Sequence, residues 1–471
     1  MRYTKTGRRL AVLPVLICLL LASHCAFVNN TALEKNLPAM HIVRFEGVAE
    51  SCYTYPPSFM VRTLSEGPHA VPLALPVREG EVLSCDNDKL IFPFHESDGN
   101  VLHLEKRDTT VFLNGKAVSV SLTEDGKGLE WLQRATPADL VNLRMLIVAS
   151  NLEKKDYPIV EKLARAQPNL GLFFQDNVQP ELIAEILSRF EPRFLAVDAA
   201  VLTERTETIK PALAGVETLW LIKVDGDSAG GASLDFLSRL PLLHTLLLSE
   251  WDPRITGELP KGMHGLRSLT LMQCEVRDLT FLHSLNGLQE LNLWAVDKLE
   301  NISSLADMPG LRKLVLLTAK DKVKNLSVLD KLPHLTWLAL PENISQEEFN
   351  NVVEHHPELE GIELNSVNLA DLSPLRQLPD LRAAVLLQGN FNTDVLKDLR
   401  GLRFLALPKE AFTGADAEKT AALVQQLPAA SIVPAQPFCL GSGWILLLAP
   451  LVMFLYILVH GQQHSRSKMH A

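Results

Sequence analysis

The sequence predicts an α/β solenoid, preceded by a small antiparallel β domain and tied to a membrane by one C-terminal helix. Three observations carry that prediction. A pattern of the form L-x-x-L-x-L recurs through the middle of the chain at near-constant spacing. Ahead of it, short alternating apolar runs are punctuated by turn residues. Each end of the chain holds an apolar segment without charge. The 471 residues are 47% hydrophobic and 21% charged, which excludes general disorder and collagen-like repeats. The formal charge is −10, and setting aside the four positives of residues 1–25 leaves the body at −14. Such a body has no long-range pull on a phosphate backbone, so no nucleic-acid partner is expected.

Residues 1–25 read as a secretory signal. Arg2, Lys5, Arg8 and Arg9 form the positive region, and Leu10–Ala22 supplies 13 apolar residues, too few to span a bilayer comfortably. A lipoprotein box would need a small residue before Cys25, and His24 stands there. Ordinary cleavage near Ser23 or Cys25 is expected, with an uncleaved N-terminal anchor as the alternative.

Residues 38–125 read as the β-rich domain. Its runs include HIVRFEGV from His41 and TVFLNGKAVSVSL from Thr110, with turn signals at Ser97-Asp98-Gly99-Asn100 and Asn114-Gly115. In an exported chain Cys52 and Cys85 are expected to form a disulfide; a free pair is the alternative if the chain is not exported. Lys127–Leu140 is expected to be helical and to shield the open edge of the first repeat.

The repeats fill residues 126–424. Leu266–Leu271 (LRSLTL), Leu288–Leu293 (LQELNL), Leu311–Leu316 (LRKLVL), Leu335–Leu340 (LTWLAL) and Leu402–Leu407 (LRFLAL) match the pattern. Leu359–Leu364 and Leu381–Leu386 are variants; upstream, Val216–Leu221 and Leu243–Leu248 keep the register, and starts at Pro192, Leu170 and Leu143 hold it progressively less well. From Leu143 to Leu402 the mean spacing is about 23.5 residues. After the strand, apolar residues return every third position, as in Val276, Leu279, Leu282 and Leu285, which suits a 3₁₀-like or extended return segment. Ser345–His356 departs from this and reads as an α-helix opened by a Ser cap with Glu348 at its third position.

This pattern resembles the leucine-rich-repeat family, and its short return segments look like the class found in bacterial internalin-like proteins. Cys274 falls where that family has Asn or Cys. The resemblance implies a horseshoe in which the first, fourth and sixth residues of each strand motif point inward. Stacking turns them into one core that no single repeat could form alone. Cys274 is then a buried structural group rather than a reactive thiol.

Catalytic patterns are weak. Asp225–Gly231 (DGDSAGG) lacks the ligands of a calcium loop, because Ala229 and Phe236 occupy two of its ligand positions. His355-His356-Pro357-Glu358 lacks a metalloprotease arrangement and reads as a helix end on the solvated face. No enzyme activity, cofactor, metal or small-molecule substrate is expected.

At the C-terminal end, residues 425–439 carry three prolines and read as a stalk. Leu440–Val459 has 20 residues and no charge, about 30 Å as a helix, with Trp444 and Tyr456 near its ends. Residues 460–471 hold Arg466 and Lys468 and no acid, so this tail belongs in the cytoplasm and the body in the periplasm or outside the cell. Alternatively, Gly441-Ser442-Gly443, one apolar helix and a short basic end resemble bacterial C-terminal sorting signals, which would place the processed protein on the cell surface.

The third, fifth and seventh residues of each motif project from the concave face, and they are unusually apolar. Trp220, Met272, Trp294, Leu317 and Trp337 are therefore expected to form a recognition strip for a protein or peptide. The alternative is that the strip is covered by the chain's own N-terminal part or by a second copy, and a structural envelope component would use it for self-association. On the open-strip reading, alanine at Trp294 and Trp337 abolishes partner capture and leaves the melting temperature nearly unchanged.

Overall fold

The computed structural model describes residues 101–434, apart from short internal stretches, together with two short strands, β1 (Met40–His41) and β2 (Val82–Cys85). The signal at 1–25, Cys52, the whole Asp225–Gly231 insert, Leu440–Val459 and the tail at 460–471 lie outside the described residues. No helix among the described residues is long and apolar enough to cross a membrane.

A long curved sheet organises the chain. β3 (Val101–Arg107), β4 (Thr110–Leu113) and β5 (Lys116–Leu122) form an antiparallel meander. Asn114-Gly115 makes its second turn, with Gly115 at a φ of 73°, which glycine adopts without steric cost. β5 then pairs in parallel with β6 (Met145–Val148), so the meander continues the repeat sheet, and β3 pairs in turn with β2. The rest follows in sequence order: β7 (Gly171–Phe174), β8 (Phe194–Asp198), β9 (Thr218–Ile222), β10 (Thr245–Ser249), β11 (Ser268–Met272), β12 (Glu290–Trp294), β13 (Lys313–Leu317), β14 (Trp337–Ala339), β15 (Gly361–Asn365), β16 (Ala383–Gln388), β17 (Phe404–Leu407) and β18 (Ser431–Pro434). Every neighbouring pair from β5 to β18 is parallel.

The spacing of the leucines dictates this register. Leu146, Leu172, Leu195, Leu219, Leu246, Leu269, Leu291, Leu314 and Leu338 stand opposite one another across successive strands, each fully buried. Because side chains alternate along a strand, fixing this inward column also fixes the column on the other face. Two details differ from the sequence reading. Leu172 pairs with Leu146 and Leu195, so the second repeat starts one residue before Leu170. A register shift after Leu364 sets Asn365 opposite Gln388 rather than Leu387.

The return segments change character along the chain. Early repeats return through helices α3 (Tyr157–Ala166), α4 (Pro180–Leu187), α5 (Ala199–Glu204) and α6 (Thr206–Leu213), which follow α1 (Lys127–Arg134) and α2 (Pro137–Leu140) over the first edge. Later repeats use 3₁₀ turns such as Thr280–Ser284, Ser303–Asp307 and Ser373–Gln377, as their threefold apolar spacing predicts. After α7 (Pro253–Thr256), the exception is α8 (Gln346–His355), opened by a capping box between Ser345 and Glu348. Its C-cap corrects one expectation: His356 turns inward and is buried, while His355 stays out and its Nδ1 lies 2.8 Å from the Asn351 carbonyl. Cys274 is buried, with Sγ 3.5 Å from the Leu248 carbonyl oxygen and 3.4 Å from that of Met272.

The sheet also runs into the residues read as a stalk. α9 (Asp416–Gln426) leads to β18, which pairs with β17 from Phe404↔Ser431 to Leu407↔Pro434. Ile432 is buried under the last repeat, and Pro434 is tolerated because it ends an edge strand.

A recurring strain marks the turn after four strands. Lys223, Glu250, Gln273 and Ala295 occupy the eighth position of their repeats with φ between 49° and 57°. A non-glycine residue in that left-handed region costs about 1 kcal/mol or more. Ala295→Gly is expected to leave stability unchanged or raise it by up to ~1 kcal/mol, and Ala295→Val to lower it; urea unfolding midpoints of the two variants check this.

Candidate functional site: the concave face of the sheet

The face opposite the leucine column is the candidate site. The register brings Met272, Trp294 and Leu317 into direct cross-strand succession on β11, β12 and β13. Trp220 sits on β9 in the neighbouring column, and Trp337 on β14 in a third. Trp220, Met272, Trp294 and Trp337 share one side of the sheet, but β9 and β14 are five strand spacings apart, roughly 24 Å.

Accessibility is where the sequence reading needs correction. Trp220, Met272, Trp294 and Trp337 are only 3–8% exposed, so the face is not an open apolar wall. The Trp220 ring meets Phe173 edge-on across Ala196, with centroids 5.4 Å apart, and its Nε1 donates to Ser249 Oγ at 2.8 Å. The Trp337 indole lies over Gly361, where an added Cβ would come within 1.6 Å of the ring. Removing a ring packed in this way costs ~3–5 kcal/mol, so alanine at Trp294 or Trp337 lowers the melting temperature instead of leaving it unchanged.

Three charged residues stand on the same face; Glu290 and Lys313 were missed because the third column of the repeat was read only for its aromatics, and Glu363 belongs to the fifth column. Glu290 and Lys313 stand directly opposite each other on β12 and β13, and Glu363 lies two strands further on, on β15. Lys313 is 1% exposed and Glu363 fully buried. Ser268 Oγ donates to Glu290 Oε2 at 3.1 Å, and Asn292 Nδ2 donates to Thr270 Oγ1 at 3.1 Å. Neither carboxylate oxygen of Glu363 has a hydrogen-bond partner among the described residues. Burial pushes the Glu363 carboxyl up to about 8 despite the attraction of Lys313. Burial also raises Glu290, opposed by Lys313 and Ser268, and lowers the Lys313 ammonium, opposed by both carboxylates. Among the described residues no group of His, Cys, Asp and Glu is arranged to hold a metal ion.

No family model matches the chain. No curated protein matches it either. Among solved structures, it is similar to an internalin, inlF, of Listeria monocytogenes at 18% identity and a TM-score of 0.37, over 64% of this chain and 92% of that one. It is also similar to a leucine-rich-repeat protein of Leptospira interrogans at 15% identity and a TM-score of 0.30, over 64% and 97%. A third likeness is to the Drosophila Toll–Spätzle complex, at 11% identity and a TM-score of 0.38, over 71% and 47%. The strand register itself makes this a leucine-rich-repeat solenoid: short parallel strands, one per repeat, with leucines in line across the sheet.

The buried carboxyl gives a pH signature. A carboxyl raised in the folded state costs nothing while protonated, and its penalty grows as pH rises from its ordinary 4.5 through about 8. Glu363→Gln cannot ionise. Its stability should match the parent near pH 5 and exceed it by at least ~1 kcal/mol at pH 8.5, measured as the difference in urea midpoints. Equal stability at both pH values would show that Glu363 is solvated.

Proposed function

We propose that this chain is a membrane-tethered, extracytoplasmic leucine-rich-repeat scaffold that binds a protein or peptide through its concave face. Trp220, Met272, Trp294, Leu317 and Trp337 are the residues such a partner would touch. The observation that carries the reading is the Met272–Trp294–Leu317 row, which the parallel register sets side by side on three successive strands. Aromatic and Met side chains are the types enriched at interface centres. Because Met272 and Trp294 are buried, engagement requires a partner to bring these side chains out of their packing.

Export by residues 1–25 and retention by Leu440–Val459 belong to the same proposal, as does a Cys52–Cys85 disulfide, whose second cysteine closes β2. No catalytic residue, metal or cofactor is assigned, and the charge of −10 disfavours nucleic acid.

Cross-linking the full chain in its native membrane, followed by mass spectrometry, tests the reading. A second polypeptide should be captured, and Trp294→Phe, which keeps a ring in place, should reduce that capture roughly tenfold while the protein still melts cooperatively. A ladder of self-cross-links with no second polypeptide would favour a structural envelope role.

A further inference from the structure

One place in the apolar core of the repeats is held by a titratable ring. Three residues before the first leucine of each strand motif, the later repeats bury an apolar side chain: Leu285, Met308, Leu332, Leu378 and Leu399. In the α8 repeat that place belongs to His356, which is 2% exposed. The equivalent places in the repeats before and after it, Leu332 and Leu378, offer the ring nothing to bond. Neither ring nitrogen has a hydrogen-bond partner among the described residues. The nearby Asp330 carboxylate is already engaged: Asn351 Nδ2 donates to its Oδ1 at 3.3 Å, and His355 Nδ1 lies 3.9 Å from the same oxygen.

The charges around the ring do not offset the cost of protonating it. α8 carries Glu347, Glu348, Glu354 and His355. The turn Leu326–Lys331, packed on α8, brings Asp330 and Lys331, and the turn Ser373–Gln377 brings Arg376. Glu358 and Glu360 follow on the way to β15. Burial holds the His356 imidazolium below its ordinary 6.5; Asp330 favours the charge and His355 opposes it. A histidine lowered in the folded state costs nothing while neutral, and its penalty grows as pH falls below 6.5. The backbone ladder is short at this repeat: β14 pairs with β13 and with β15 over three residues, against five between β11, β12 and β13. α8 buries Phe349, Val352 and Val353. A segment held by few ladder bonds opens before the whole domain does.

We propose that His356 is an acid-sensitive latch, whose protonation releases α8 from the solenoid and uncovers Phe349, Val352 and Val353. The latch belongs to a return segment, so it stands whether or not a partner binds the concave face.

Hydrogen exchange of the full chain, corrected for the intrinsic pH dependence of amide exchange, tests it. Opening of the α8 amides should rise about tenfold per pH unit below 6.5, while β11 and β12 stay protected. His356→Leu, which installs the apolar residue of the neighbouring repeats, should abolish that rise, and His355→Gln should keep it. Opening of α8 that ignores pH in the parent, or a rise that survives His356→Leu, would overturn the proposal. Protection lost equally from α8, β11 and β12 would overturn it in favour of global acid unfolding. If His356→Leu fails to fold, exchange of the imidazole C2 hydrogens in the parent, followed by mass spectrometry, replaces it. His356 should exchange slowly and titrate below His355; titration of His356 at 6.5 or above would sink the idea.

Discussion

The structure depends on a single registration, the fourth residue of each motif set opposite the fourth residue of the next. Leu146 to Ile432 form that line, and a one-residue slip at any strand would send its leucines to the other face. Each repeat buries its apolar side only against its neighbours, so stability builds through nearest-neighbour interfaces and the ends need covers. The covers are visible: β3–β5 and α1–α2 at the first edge, α9 and β18 at the last.

The same registration decides what the concave face can be. Columns there are set by position in the repeat, so each side chain meets its counterparts above and below. Trp220 meets Phe173 across Ala196 because all three occupy the fifth position. Glu290 meets Lys313 because both occupy the third. Local packing on this face is therefore written in the spacing of the repeats, and a large ring finds room only where its neighbour is small, as Trp337 does over Gly361.

Much of this was legible in the sequence. The period, the 3₁₀ returns, the Ser345–Glu348 cap and the role of Cys274 all follow from local rules that involve few residues. What was not legible depends on chain far away in sequence. The ends of the solenoid were misplaced because β18 (SIVP) and β5 hold no L-x-x-L-x-L motif and are strands only because the sheet offers them an edge. The burial of Trp294 and Trp337 could not be read either, since an exposed column and a buried one have the same spacing.

The buried charges indicate how tightly that face is held. Isolating Lys313 and two carboxylates from water would be costly if all three stayed ionised. The geometry offers a cheaper state. Glu290 faces Lys313 directly and accepts from Ser268, so it is the carboxylate best able to carry the negative charge. Glu363 has no hydrogen bond among the described residues and a pKa near 8, so at neutral pH it keeps its proton. Burial presses Glu290 and Lys313 toward their neutral forms as well, and their mutual attraction opposes it. Raising the pH removes the proton that allows Glu363 to stay dry. The packing around Glu363 is thus conditional, stable while its carboxyl remains protonated and strained once it does not.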